Sequence, residues 1–169
     1  MQNPRSAKYW KGKLQMQSHV EGGAFRETYR AALTFPQHVL TPEHRGQRNA
    51  STAIYFLLEY GDFSAFHRIA SDEMWHFYDG AGLCVYEIKP DGTLHIHKLG
   101  LDIENGELPQ VLIPAGGWFA SRVEVAGAYC LCGCTVAPGF DFADFELAEK
   151  SMLQQQYPQH ASIIDELTR

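Results

Sequence analysis

The sequence predicts a mainly β domain of the barrel or sandwich type. Residues Ser51 to Glu59 form a strongly apolar segment, as expected for a strand that is buried on both faces. The turn Pro90-Asp91-Gly92 separates Leu83–Lys89 from Thr93–Leu99, and this turn chemistry indicates a β-hairpin. Many short strands punctuated by glycine and proline favour packed sheets or a closed barrel.

The composition is that of an ordinary globular protein, with 45% hydrophobic and 20% charged residues. A chain of 169 residues predicts one domain with a core of its own. The net charge of -6, without a basic run, argues against nucleic acid or an anionic membrane as the main partner. No apolar run reaches the roughly 18 residues of a membrane span, and the polar start lacks a signal-peptide core. We therefore expect a cytoplasmic protein.

The N-terminal third is expected to contain a helix, a strand and a long loop. A weak apolar stripe predicts a short helix from Ser6 to Gln17. After the break His19-Val20-Glu21-Gly22-Gly23, alternation from Ala24 to Ala31 predicts a strand whose charged face carries two arginines. Residues 33–49 contain two prolines and two histidines and predict a loop of the kind that often forms a lid.

The C-terminal third is expected to change from strands to helices. After a polar loop from Asp102 to Gln110, residues 111–119 and 122–136 predict further strands. From Phe140 onward the pattern is helical, and Pro158 divides this tail into two helices.

The most specific spacing in the chain runs from Gly61 to Gly80. Two strands joined by a short turn would bring His67 and Glu73 together on one interior face. Terminal glycines suit the sharp bends that such a unit needs. A histidine beside a carboxylate is often only a structural hydrogen bond, but this spacing favours a site.

Two segments resemble the motifs of the cupin superfamily. The first motif, G-x5-H-x-H-x3-E-x6-G, is matched from Gly61 to Gly80 except that Ile69 replaces its second histidine. The second motif contains P-x-G-x-x-H, and here Phe119 stands in the place of the ligand histidine after Pro114 and Gly116.

Further segments resemble a largely uncharacterised branch, the cupin-5 or unknown-function cupins. They are residues 19–23, 26–30, 64–69, 71–78 and 133–142. The resemblance implies a double-stranded β-helix, the jelly-roll barrel, with a short N-terminal helix and C-terminal helices. It also implies a pocket inside the barrel and usually a homodimer. We expect a single domain over residues 1–169, with a core over 20–142 and a helical tail over 143–169.

The resemblance gives the site an incomplete metal set. Cupins usually use three histidines and one glutamate, whereas only His67 and Glu73 stand at matching positions. His76 becomes a third ligand if a β-bulge reverses the strand parity. Two ligands rarely hold a catalytic metal, so the sequence predicts no cofactor, with a divalent metal on His67, Glu73 and His76 as the alternative.

Without a metal, His67 and Glu73 suit proton transfer, with the histidine as a general base. An apolar lining would shift the pKa of that base. The expected ligand-binding residues are Phe63, Trp75, Phe77, Phe119, His19 and Glu21. Sugar-nucleotide epimerases of the cupin fold resemble this plan and add a tyrosine acid. The tyrosines considered for that role are Tyr55, Tyr78 and Tyr129.

These observations predict a cupin that binds a small molecule inside its barrel. Metal-independent isomerase or epimerase chemistry on a sugar-like ligand is the favoured activity. A metal-dependent oxygenase and a non-enzymatic binding or storage protein are the two alternatives, and the fold does not choose among them.

Other histidines and cysteines share strand faces. His95 and His97 stand two residues apart on a polar hairpin and are expected to face solvent rather than a metal. Cys130, Cys132 and Cys134 alternate along one strand, a poor arrangement for mutual disulfides. We expect buried free thiols rather than a thiolate cluster.

Overall fold

Two antiparallel sheets face each other across the core in the computed structural model, which describes residues 5–169. Residues 1–4, included in the predicted domain, lie outside the described residues. The strands are β1 (Gln17–Ser18), β2 (Ala24–Arg30), β3 (Thr34–Phe35), β4 (Arg48–Asn49), β5 (Thr52–Glu59), β6 (Phe63–Arg68), β7 (Asp72–Gly80), β8 (Leu83–Ile88), β9 (Leu94–Leu99), β10 (Gln110–Ile113), β11 (Trp118–Arg122), β12 (Tyr129–Ala137) and β13 (Glu146–Leu147). The helices are α1 (Ala7–Lys13), α2 (Lys150–Gln156) and α3 (Ala161–Glu166), with 3-10 turns at Gln37–Val39, Ile103–Asn105, Phe142–Asp144 and Pro158–His160.

One sheet has the strand order β1-β2-β5-β12-β7-β10, and the other has the order β13-β6-β11-β8-β9. Strands β3 and β4 form a separate small pair. The mainly β fold with short helices at both ends is therefore confirmed. No helix among residues 5–169 combines the length and the apolar character needed to cross a membrane.

Strand β5 is apolar on both faces because each face is covered. Phe56 and Leu58 point into the core between the sheets. Leu57 points outward and packs beneath α1 with Ala7 and Leu131. The side chain of Ser6 caps α1 by accepting a hydrogen bond from the Tyr9 amide. The N-terminal helix therefore covers one end of the six-stranded sheet.

The two C-terminal helices cover the outer face of the five-stranded sheet. The second apolar cluster joins that face to the helices through Phe66, Tyr86, Ile88, Trp118, Leu153, Tyr157, Ile164 and Leu167. The tail is thus packed onto the barrel along its length.

The segment from Gly61 to Gly80 does not form a hairpin, because its two strands belong to different sheets. Strand β6 lies in the five-stranded sheet and β7 lies in the six-stranded sheet. The chain crosses between the sheets at residues 69–71. His67 and Glu73 therefore approach each other from opposite walls of the barrel, rather than from one sheet.

The helical pattern predicted from Phe140 is wrong until Lys150. Residues 142–144 form one 3-10 turn, and β13 then pairs with β6. The rings of Phe140, Phe142 and Phe145 pack against one another instead of along a helix. Tertiary packing thus overrides the local pattern and holds this segment over one end of the barrel.

The predicted long loop at residues 33–49 is pinned at two places. Arg48 forms a buried ion pair with Asp144. His44 is 3.0 Å from the Ser71 hydroxyl through Nε2. These contacts fasten the loop beside the segment that covers the barrel end.

We expect Ile164→Ala to lower the free energy of unfolding by about 2–5 kcal/mol, because Ile164 is fully buried between α3 and the five-stranded sheet. Urea unfolding measures this loss, and Ser162→Ala on the exposed side of α3 is the matched control. A loss below about 1 kcal/mol would mean that the tail is only loosely docked.

Candidate functional site

A cavity of about 250 Å³ opens between the two sheets at the end covered by residues 140–142. Sites for drug-sized ligands span about 300–1,000 Å³, so this cavity suits a smaller molecule. Its lining residues are His19, Glu21, Phe25, Glu27, Arg30, Thr52, Ile54, His67, Ile69, Glu73, Cys134, Val136, Phe140, Asp141 and Phe142.

His67 is held rigidly on the cavity wall by β6. Its Nδ1 is 2.7 Å from the Ala65 carbonyl oxygen, and its Nε2 is 3.1 Å from Oε2 of Glu21. The Phe119 ring lies against the imidazole with centroids 4.1 Å apart. Only 3% of His67 is exposed, and burial lowers its pKa.

Glu21 reaches His67 because the chain passes close to β6. Gly22 has φ +119°, and a Cβ there would lie 1.9 Å from the Phe63 carbonyl oxygen, so only glycine fits. The Ala65 amide donates to the Glu21 carbonyl at 2.8 Å, and the Ser64 hydroxyl donates to Oε1 at 3.0 Å. Glu21 is thereby fixed at both its backbone and its side chain.

One proton must lie between Glu21 and His67. A carbonyl oxygen can only accept, so Nδ1 of His67 carries a hydrogen that it donates to Ala65. The short Nε2 contact then needs a proton held either by the carboxyl or by the ring. Burial raises the pKa of Glu21 to about 7 and lowers the pKa of His67. The proton therefore resides on Glu21, which donates to a neutral imidazole.

Glu73 faces this pair from β7 in the opposite sheet. Burial raises its pKa to about 7, although the neighbouring His67 acts in the other direction. The Cys134 thiol lies beside its carboxyl group on the cavity wall. Two carboxyl groups that titrate near neutrality thus flank one neutral histidine.

A bulge in β2 places two charged residues at the cavity mouth. The pairing of β2 with β5 shifts register between Glu27 and Tyr29, so Glu27 and Arg30 both face the cavity. Arg30 donates to the Glu27 carboxylate from Nε at 3.0 Å and from Nη2 at 2.6 Å. Arg26 instead points away and contacts the Leu14 carbonyl.

Aromatic rings form the rest of the mouth. The His19 ring meets Phe25 edge-on at 4.6 Å and stacks parallel to Phe142 at 6.2 Å. Nδ1 of His19 is also 3.5 Å from Oε2 of Glu21. His19 and Glu21, predicted from the sequence as ligand-binding, both line the cavity, and burial lowers the pKa of His19.

The four predicted aromatic residues lie elsewhere. Trp75 and Phe119 are buried in the core, and Phe77 packs against that core farther along β7. Phe63 is on the outer side of β6, where the Arg169 guanidinium lies 4.6 Å from its ring centroid. Strand parity places Trp75 and Phe77 correctly on the inner face of β7, but the cavity occupies only one end of the barrel. For Phe63 the parity fails, because the pairing of β6 with β11 shifts register between His67 and Ser64.

His76 is on the outer face of β7 and cannot join His67 and Glu73. Its Nε2 is 3.0 Å from the Thr135 hydroxyl, and its Nδ1 is 3.0 Å from the Gln110 amide nitrogen. The β7 bulge falls beyond this residue, where the pairing with β12 skips from Phe77 to Asp79. The bulge therefore leaves the parity of His76 unchanged.

The donors at the site do not fit a resident metal. Ile69 and Phe119 fill the positions of two cupin ligands with hydrocarbon, and both are buried there. Across residues 5–169, no three His, Cys, Asp or Glu side chains are arranged to hold a metal ion. The two carboxyl groups and the histidine are instead arranged around a proton.

None of the three tyrosines considered as an acid lines the cavity. Tyr55 and Tyr78 pack together on the outer face of the six-stranded sheet, with ring centroids 6.0 Å apart. The Tyr129 hydroxyl donates to Asp79 at 2.8 Å near α1. The acidic side chain that contacts His67 is Glu21, not a tyrosine.

The remaining singled-out residues serve elsewhere. Nε2 of His97 is 2.8 Å from the buried carboxylate of Glu87, while His95 is exposed beside it. The three alternating cysteines of β12 are buried free thiols, as predicted. Burial and a neighbouring carboxyl raise the pKa of Cys134, so it remains a thiol at the cavity wall.

Sequence reasoning missed the residues that form the mouth. In a regular strand Glu27 and Arg30 would lie on opposite faces, and no residue type in β2 indicates the bulge that brings them to the same face. Phe140, Asp141 and Phe142 were assigned to a helical pattern. The sequence feature that indicates an irregular segment here is the strand-ending pair Pro138-Gly139, followed by aromatic residues at alternate positions.

We expect Glu73→Gln to stabilise the protein at high pH. The carboxyl titrates at 4.5 when unfolded and at about 7 when folded, so its contribution is present below pH 4.5 and lost as the pH rises through 7. The glutamine variant cannot lose that proton. Its unfolding free energy relative to wild type should therefore rise by about 3 kcal/mol between pH 4.5 and 8.

Urea unfolding at both pH values tests this expectation, with the exposed Glu104→Gln as the control. A difference between variant and wild type that does not change with pH would contradict it.

Comparison with known proteins gives this geometry a family. Residues 8–148 match the family described as Cupin superfamily (DUF985). The uncharacterized protein YML079W of Saccharomyces cerevisiae is 35% identical in an alignment of 141 positions, and the match covers 77% of this chain and 69% of the yeast protein. The solved structure of protein SO0799 from Shewanella oneidensis is 41% identical, with a TM-score of 0.87 over 98% of both chains. A hypothetical protein from Leishmania major is 33% identical, with a TM-score of 0.88 over 97% of this chain and 99% of its own. The family match spans well over half of the chain, and the protein therefore belongs to the DUF985 family of the cupin superfamily.

Proposed function

We propose that this protein is a metal-independent isomerase or epimerase that moves a proton at a carbon atom of a small sugar-like hydroxycarbonyl compound. The observation that carries this proposal is the buried contact of 3.1 Å between Nε2 of His67 and Oε2 of Glu21, where one proton lies between the carboxyl group and the imidazole. Burying two titratable groups costs free energy, and such groups are concentrated at sites where they exchange protons with a substrate.

The proposed reaction gives each of the three groups a separate role. Glu21, protonated at neutral pH, donates its proton to the carbonyl oxygen of the substrate as the enediol forms. This transfer frees Nε2 of His67, which accepts the proton from the adjacent carbon. Glu73 faces the imidazolium that results and stabilises its positive charge. The reverse transfers, to the neighbouring carbon or to the other face, complete the reaction.

We expect His67→Ala to lower the rate of proton exchange at carbon by about 10²- to 10⁴-fold, because the general base is lost. Glu21→Gln should cause a loss in the same range, since the amide cannot supply the proton. The measurement is deuterium incorporation from deuterated water into a panel of aldoses and ketoses, followed by nuclear magnetic resonance. His76→Ala, which removes a histidine on the outer face of β7, is the matched control.

The other candidate functions give different results in the same assay. Exchange that persists undiminished in His67→Ala would remove this histidine from the mechanism. Binding in calorimetry without exchange for any panel member would favour a binding protein. Activity that is abolished by a chelator and restored by a divalent metal would favour the metal-dependent reading.

We also propose that two copies associate through the uncovered part of the six-stranded sheet. Helix α1 covers only one end of its outer face, and Met74, Tyr55, Tyr78 and Leu112 lie beyond it. Tyr78 is 50% and Leu112 is 44% exposed, which is unusual for large apolar side chains on neighbouring strands. A second copy of this face would cover them.

Light scattering should then give about twice the chain mass of 19.0 kDa at micromolar concentration. Tyr78→Asp should convert the dimer into a monomer, because it places a charge in the apolar interface. Met152→Asp, at a residue that is 68% exposed on α2, is the control and should remain dimeric. A monomeric wild type would refute the assignment.

The cysteines support the cytoplasmic location that the sequence predicts. All four are free thiols, and three of them are buried. Free thiols are typical of reducing compartments, where disulfides do not persist.

A further inference from the structure

The charges around the cavity are unbalanced. Four acidic side chains line it, namely Glu21, Glu27, Glu73 and Asp141. Arg30 is the only arginine or lysine among the lining residues. Burial lowers the pKa values of His19 and His67, so neither imidazole adds a positive charge at neutral pH. Glu21 holds a proton in its pair with His67, and the charge of Glu27 is matched by Arg30. Glu73, when ionised, and Asp141 still leave the cavity with more negative than positive charge.

Arg30 is already occupied by the protein itself. Its Nε and Nη2 bind both oxygens of Glu27, and its Nη1 donates to Oδ1 of Asn49 at 3.0 Å and to the Phe140 carbonyl at 3.1 Å. A guanidinium with this many partners has little left to offer a phosphate or carboxylate. An anionic ligand would therefore enter an acidic cavity without a free cation to receive it.

The two interior carboxyl groups, those of Glu21 and Glu73, lack a cationic partner. Glu21 accepts from Ser64, and Glu73 interacts with the Cys134 thiol, but neither contacts an arginine or lysine. Burial without a cation is the reason that both carboxyl groups have a pKa of about 7. A positive charge in the cavity would stabilise their ionised forms.

Aromatic rings stand beside these acids. Phe25, Phe140 and Phe142 all line the cavity, and the rings of Phe140 and Phe142 meet edge-on with centroids 5.0 Å apart. Aromatic faces combined with carboxylates are the arrangement that proteins use to bind ammonium groups. Neither feature is required for binding a neutral sugar.

We infer that the cavity binds hydroxylated compounds that carry a cationic amine and discriminates against phosphorylated or carboxylated ones. For the reaction, this inference rests on the proposed isomerase function and names its substrate class as amino sugars. The binding preference itself does not depend on the proposed reaction, because it is inferred from the charges of the lining residues. Sugar phosphates and sugar nucleotides are thereby excluded as preferred substrates.

The test compares ligands of one shape that differ in charge. Isothermal titration calorimetry at pH 8 would measure 1-amino-1-deoxysorbitol, sorbitol and sorbitol 6-phosphate. We expect the amine to bind about tenfold more tightly than sorbitol, and the phosphate to bind more weakly than sorbitol. None of the three has a carbonyl group, so the result does not depend on turnover.

Two variants test which negative charges favour binding of the amine. Glu73→Gln and Asp141→Asn should each reduce the preference for the amine over sorbitol by several-fold, since each removes one negative charge from the cavity. Glu104→Gln removes a negative charge from an exposed turn and should leave the preference unchanged. Equal affinities for amine and sorbitol, tighter binding of the phosphate, or no binding of the amine would each overturn the inference.

The amine should also bind more tightly as the pH rises from 6 to 8. At pH 6 Glu73 holds a proton that the cation must release, whereas at pH 8 Glu73 is ionised. Titrations in buffers of different ionisation enthalpy would measure that proton release. The titratable and charged groups facing the carboxyls of Glu21 and Glu73 are His19, His67, Cys134, Glu27, Arg30 and Asp141.

The binding and exchange experiments can contradict the two proposals independently of each other. A preference for the amine without exchange on amino sugars would leave this inference standing and refute the isomerase. Exchange confined to neutral sugars, together with equal binding of amine and sorbitol, would do the reverse.

Discussion

The site depends on two carboxyl groups and a histidine that are buried with no cation beside them. Glu21, Glu73 and His67 are each less than a tenth exposed, and the cost of ionising them there is large. The protein accommodates them by sharing protons, because the neutral pair of Glu21 and His67 has no net charge. Their acid and base properties near neutral pH are a direct result of that burial.

The two-sheet architecture makes this burial achievable. Helix α1 and the C-terminal helices cover the outer faces of the sheets, so the interior between them is closed from both sides. Because β6 and β7 lie in different sheets, His67 and Glu73 meet across the barrel while each stays fixed to its own wall. A hairpin would have placed both side chains on one surface and left the other side of a ligand without a charged group.

The same interior differs from the usual cupin metal site at two ligand positions. Ile69 and Phe119 occupy ligand positions with apolar side chains, and Phe119 packs directly on the His67 ring. That contact orients the imidazole toward Glu21 instead of toward a metal. At the mouth of the cavity, the one lining arginine, Arg30, is bound to Glu27.

The sequence by itself determined the mainly β fold, the two flanking helical regions, the buried cysteines and the approach of His67 to Glu73 inside the barrel. Those features follow from local periodicity, turn residues and motif spacing, which the chain carries in short segments. Only the tertiary structure decided that Glu21 is the proton partner of His67, because 46 positions of sequence separate them and Gly22 lets their segments touch. The β2 bulge, the outward position of His76 and the aromatic segment at residues 140–145 were likewise decided by packing between distant strands, which residue type alone does not encode.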